Sequence, residues 1–160
     1  MENEKNIIMK EAVQIELNMC DLYLLYKDLF PEDREFWKKI AKEEKEHASI
    51  LDLLLELPDL MPTDLLYFNK GDMKNLNKKI KEAKDQYKDT PPTKQEAYQF
   101  AIDLENAAFE LHYQKLMDKE PCTNTVSTLQ KLNHGDKDHA DRIQTLLTVE
   151  FRTLPIPESE

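Results

Sequence analysis

Two segments of this 160-residue chain set an acid three positions before a histidine: Glu44-Lys45-Glu46-His47 and Asp136-Lys137-Asp138-His139. On a helix, residues i and i+3 share a face, so each pair presents a carboxylate and an imidazole to one neighbour. Carboxylate oxygen and imidazole nitrogen are donors that iron, manganese and zinc accept, so metal binding is the chemistry to consider first. Both pairs lie inside a longer similarity. Aligned without gaps, Lys39–Ala48 matches Lys131–Ala140, and the chain reads as one helix pair used twice.

Prolines mark the elements that must position these residues. A first helix is expected from about Lys5 to Phe30, and Pro31 suits the first residue of a second, which runs to about Leu57. A more polar crossover covers residues 58–92, with a short lysine-rich helix from Met73 to about Lys88. Thr93-x-x-Glu96 is a capping box that starts a third long helix, ending near Glu120 before Pro121. Thr123 or Thr125 caps a fourth helix to about Phe151, so residues 1–151 form one helical domain and 152–160 a tail. At 1.5 Å per residue the four long helices span roughly 35–40 Å each.

Composition agrees with an all-α chain. Only two residues are glycine, where average usage of about 7% would give roughly eleven. Dinucleotide-binding and phosphate-binding glycine loops are thereby excluded. Thirty-two acids against 22 basic residues give a net charge of −10, which disfavours nucleic acid and anionic membranes. Cys20 and Cys122 form no C-x-x-C, no stretch approaches the ~20 apolar residues of a membrane span, and Met1–Lys10 has no apolar run. A reducing, cytoplasmic setting is expected.

Helical periodicity then puts acids where a core should be. The first stripe reads Ala12, Val13, Glu16, Met19, Cys20, Tyr23, Tyr26, Phe30, and the second Trp37, Ile40, Ala41, Glu44, His47, Ala48, Leu51, Leu55. The third reads Tyr98, Ala101, Ile102, Glu105, Ala108, Phe109, His112, Leu116, and the fourth Leu129, Leu132, Asp136, His139, Ala140, Ile143, Leu147. A lone inward Glu is ordinarily a boundary residue that snorkels to water. Four at matching depth converge, and unpaired buried carboxylates each cost several kcal/mol. No lysine or arginine stands in these stripes. Two divalent cations, with neutral imidazoles of His47 and His139, would offset the charge. Ferritin-like di-metal carboxylate proteins use this set: one Glu from each of two helices and a Glu-x-x-His from each of the other two.

On Ile15-Glu16 with Tyr23 seven residues later, Glu44-Lys45-Glu46-His47-Ala48, Leu104-Glu105 and Asp136 to Ile143, the chain resembles the rubrerythrin type of the ferritin-like di-iron superfamily. The resemblance covers about residues 12–147. It implies a ferritin-like four-helix bundle with a long crossover between its second and third helices. It also implies two iron ions held by Glu16, Glu44, His47, Glu105, Asp136 and His139, though these donors also suit manganese and zinc. The implied activity is reduction of peroxide or dioxygen by a di-iron oxidoreductase. Electrons would come from an external donor protein, because the rubredoxin domain is absent. A homo-oligomer, a dimer, is implied as well. Ferritin-like iron oxidation and storage is the alternative, and a structural bundle with a degraded metal site is a third.

Several positions depart from the family pattern. Asp136 stands for Glu and is one methylene shorter, so either the fourth helix comes closer or one metal is held more weakly. Ala108 replaces an additional Glu. Tyr23 is either a donor that steadies a carboxylate ligand or a core tyrosine with another acceptor. His112 occupies the equivalent position on the third helix and is a satisfied core histidine, a donor that steadies a carboxylate, or a group that reaches a metal. Cys20 is read as packing, His134 as solvent-facing, and Trp37, Phe109 and Ile143 as the apolar lining. Gly135 falls inside a helix, where glycine costs about 1 kcal/mol relative to alanine, next to the atypical Asp136. It marks that half-site as the one where metal occupancy is in question.

Overall fold

The computed structural model describes residues 4–56, 70–117 and 124–152, apart from the side chains of residues 5, 109–117, 133, 136, 151 and 152. Five α-helices make up almost all of it: α1 Glu4–Leu29, α2 Arg34–Glu56, α3 Lys70–Asp89, α4 Lys94–Met117 and α5 Asn124–Arg152. No strand occurs among the described residues. None of the described helices is long and apolar enough to cross a membrane.

Pro31 does not open α2 directly. It begins a three-residue 3-10 turn, Pro31–Asp33, which reverses the chain before α2 starts at Arg34. At the start of α4 the backbone N–H of Thr93 donates to Glu96 Oε2 at 2.8 Å, and the Glu96 N–H donates to Thr93 Oγ1 at 3.3 Å. These reciprocal bonds satisfy two of the donors that a helix start leaves open. Thr125 lies within α5, which begins at Asn124, and Thr123 is outside the described residues.

Side-chain contacts fix the helix directions. Tyr23 meets Trp37 and Glu16 meets His47, so α1 and α2 run antiparallel. Lys94 pairs with Glu150 and Glu105 approaches His139, which makes α4 and α5 antiparallel too. Tyr23 bonds Glu105, Phe30 packs on Tyr98, and Glu44 bonds His139, so α1 adjoins α4 and α2 adjoins α5.

The crossover helix is longer than the sequence pattern suggests, reaching 20 residues, and runs parallel to α1: Asn77 meets Asn18, Lys84 meets Asp21 and Tyr87 meets Tyr26. It docks with Met73, Leu76, Asn77 and Ile80 buried. Asn18 Nδ2 donates to Asn77 Oδ1 at 2.8 Å, and Asn77 Nδ2 donates to Glu11 Oε2 at 2.8 Å and to the Glu11 carbonyl at 3.1 Å. Glu11, Ile15, Asn18 and Leu22 lie on one face by their spacing, and Ile15, Asn18 and Leu22 are buried. So α1 is covered on two sides, where the single stripe describes one.

Two layers flank the inward acids of α1, α2 and α4. On one side Trp37 is fully buried, with ring centroids 5.2 Å from Tyr23, 5.0 Å from Tyr26 and 4.9 Å from Tyr98. Its Nε1–H donates to the Tyr98 hydroxyl at 3.1 Å, and that hydroxyl donates to Asp33. At this end Lys94 pairs with Glu32, Asp33 and Glu150, so one ammonium joins the 3-10 turn, the start of α4 and the end of α5. On the other side lie Ala48, Leu51 and Leu132, all buried.

Candidate metal centre

The three-residue spacing on α2 aims Glu44 and His47 at one region, with Glu44 fully buried. α1 brings Glu16 there, α4 brings Glu105 and α5 brings His139, all buried. His139 Nδ1 lies 2.7 Å from Glu44 Oε1 and 3.6 Å from a Glu105 oxygen. His47 Nδ1 lies 3.3 Å from Glu44 Oε2 and 3.7 Å from Glu16 Oε2. The two imidazoles stack, with centroids 5.4 Å apart and planes 15° from parallel. Glu44, His47 and His139 each offer a ligand atom within 4.8 Å of the others.

Of the eight positions singled out by sequence, these five and Tyr23 meet in space. The Tyr23 hydroxyl donates to Glu105 Oε1 at 2.6 Å, and burial together with the Glu105 and Glu44 charges keeps its phenol protonated, its pKa far above the usual value. The side chains of Asp136 on α5 and His112 on α4 are outside the described residues, as is that of Phe109. Ala108, Ile143 and Trp37 are buried and His134 is exposed. Cys20 is buried in the core, where desolvation raises its thiol pKa.

Two participants escape the sequence pattern. His139 Nε2 lies 2.8 Å from Glu43 Oε2, and Arg142 Nη1 donates to the same oxygen at 2.6 Å and to Asp138 at 3.1 Å. His139 is thus gripped at both ring nitrogens, by Glu44 from within and by Glu43 from the solvent side. Such a partner on the far nitrogen fixes the orientation of the ring. Arg142, one turn after His139, was the available signal.

The neutral imidazoles expected with bound cations have a different counterpart when the side chains face only one another. Burial alone would lower both histidine pKa values, but the Glu16 and Glu44 carboxylates push His47 up to about 11, and Glu105 and Glu44 push His139 up to about 12. Glu44 moves the other way: burial opposes its charge, yet His139 and His47 hold it well below the carboxylate range. Among themselves these side chains form a cluster of imidazolium–carboxylate pairs. A raised folded-state pKa stabilises fully below the unfolded value near 6.5, and the benefit fades as pH climbs towards 11–12. The Glu44 contribution is present above its ordinary 4.5 and is lost on acidification. The metal-free protein should therefore show its highest urea midpoint between about pH 4.5 and about pH 6.5 and a falling one up to about pH 9. A midpoint that rises on the alkaline side would contradict this cluster.

Comparison with protein-family models, curated proteins and solved structures returns no match, so function has to be inferred from this side-chain chemistry.

Proposed function

We propose that this chain is a ferritin-like di-metal protein of rubrerythrin type, with α1, α2, α4 and α5 as its four-helix bundle and α3 as the crossover. It reduces peroxide or dioxygen in the cytoplasm with electrons from an external donor protein, and works as a homodimer. The observation that carries the reading is the convergence of Glu44, His47 and His139 within 4.8 Å, beside buried Glu16 and Glu105.

The residues suit a cation. Oxygen and imidazole donors fit iron, manganese or zinc. Glu44 is fully buried, with one carboxylate oxygen turned to each imidazole: Oε1 to His139 Nδ1 at 2.7 Å and Oε2 to His47 Nδ1 at 3.3 Å. Glu44, His47 and His139 would hold one ion, Glu16 and Glu105 would bind alongside, and Asp136 would complete the set by the resemblance. Iron bound there would supply the electrons that reduce the oxidant. The chain's own part is positional. Tyr23 holds Glu105 by its hydroxyl, Glu43 holds His139 from the far nitrogen, and Trp37 and Ile143 keep bulk water out.

A second reading, a metal-free structural bundle, draws on the same cluster, because imidazolium–carboxylate pairing already neutralises part of the buried charge. One experiment separates the two. Protein from iron-replete cells is assayed for bound metal, and the stripped protein is titrated with divalent iron at pH 7 while released protons are counted. Cation binding must deprotonate both imidazoles, so about two protons should appear, and affinity should rise steeply with pH. The reduced protein should then consume peroxide. Sub-stoichiometric metal, no proton release and no turnover would leave the structural bundle as the answer.

A further inference from the structure

Gly135 lies within the continuous helix α5, and its φ is not positive, so backbone conformation does not demand glycine there. A helix interior penalises glycine against alanine, which calls for a reason in packing. A Cβ at this position would stand 2.8 Å from His47 Cε1 and 2.9 Å from His47 Nε2. The edge of the imidazole therefore rests on the bare backbone of α5. The ring has no easy retreat, since its Nδ1 side faces Glu44 Oε2 at 3.3 Å and Glu16 Oε2 at 3.7 Å, and its face stacks on His139.

The sequence ties Gly135 to its neighbour Asp136; the structure ties it to the histidine of the other half. In the ungapped repeat, Gly135 aligns with Glu43. Each of these positions touches the histidine of the opposite half: Glu43 meets His139 Nε2 at 2.8 Å, and Gly135 meets the Cε1–Nε2 edge of His47. One imidazole is braced by a carboxylate, the other by a notch.

We infer that Gly135 is the positioning residue for His47: the missing side chain is what lets this imidazole stack on His139 with Nδ1 turned to Glu16 and Glu44. This rests on reading the cluster as a metal site, but its geometric core does not require a metal. Any side chain at 135 turns the ring out of the arrangement that presents Nδ1 to the cluster.

The test is a cycle of Gly135→Ala and His47→Ala in the full-length chain, read by thermal unfolding of the metal-free protein and by titration with cobalt(II), whose visible absorption reports its ligands. With His47 in place, Gly135→Ala is expected to lower cobalt affinity by about tenfold or more, to change the absorption spectrum and to give no gain in melting temperature. In the His47→Ala background the ring is gone. There Gly135→Ala should raise the melting temperature, as an ordinary helical Gly→Ala exchange does, and leave cobalt affinity unchanged. Equal stabilisation in both backgrounds would overturn the inference, whatever the metal result. Should the unaltered protein bind no cobalt, the metal reading fails, and the non-additive melting temperatures still decide the role of Gly135.

Discussion

Replacing His139 with alanine is expected to lower the melting temperature at pH 7 by about 6–20 °C and to abolish any stabilisation by added metal. The side chain is buried, and it is the cation shared by Glu44 at 2.7 Å, Glu43 at 2.8 Å and Glu105 at 3.6 Å. Removing one partner of a buried ion pair costs about 3–5 kcal/mol, because the remaining charge is left without compensation. For a domain of this size each kcal/mol is worth about 2–4 °C. The double exchange His139→Leu with Glu44→Leu removes both charges and should recover most of the loss, since apolar replacement of a buried pair is often neutral or better. It should not recover metal binding. The pair of variants thus separates the cost of an orphaned charge from the loss of a ligand. A melting temperature for His139→Ala within a degree or two of the unaltered protein would show that the pairs do not form.

Trp37→Ala carries the other large effect. The indole is fully buried among Tyr23, Tyr26, Phe36 and Tyr98, with centroid separations of 5.2, 5.0, 5.2 and 4.9 Å. Truncating such a residue costs about 3–5 kcal/mol through lost transfer energy and the cavity left behind. The Tyr98 hydroxyl also loses its donor, and Tyr23, which holds Glu105, loses the wall that fixes its ring. Both stability and metal affinity should fall, and Trp37→Phe should restore most of the first. Chemical denaturation with linear extrapolation measures it. A loss under about 1 kcal/mol would mean that the layer is not closely packed.

The positions of the helices were legible because proline, a capping box and apolar steps of three and four are local signals. Glu16, Glu44, His47, Glu105 and His139 were legible for a related reason: a polar residue in the middle of an apolar stripe stands out against its own helix. Glu43 interrupts no stripe, and its role depends on α5 bringing His139 and Arg142 to it. The second buried face of α1 was likewise hidden, since Asn18 reads as a surface residue until α3 supplies Asn77. Gly135 was visible as an anomaly beside Asp136, but its contact with His47 was not, because sequence adjacency says nothing of a ring on another helix. Protonation depends on the occupant. Neutral imidazoles suit a metal, but the same carboxylates that would share a cation hold protons on the histidines in its absence.

The lone tryptophan has a practical consequence. Trp37 packs on Tyr23, whose hydroxyl touches the acid cluster, and the chain has no second indole to confuse the signal. Its emission should be blue-shifted in the native state and red-shifted on unfolding, so one fluorophore follows the fold. Iron in the centre should quench it by short-range electron or energy transfer, whereas zinc, with a filled d shell, should leave it bright. The same cuvette then distinguishes an empty centre, a redox-active occupant and an inert one, with no label attached.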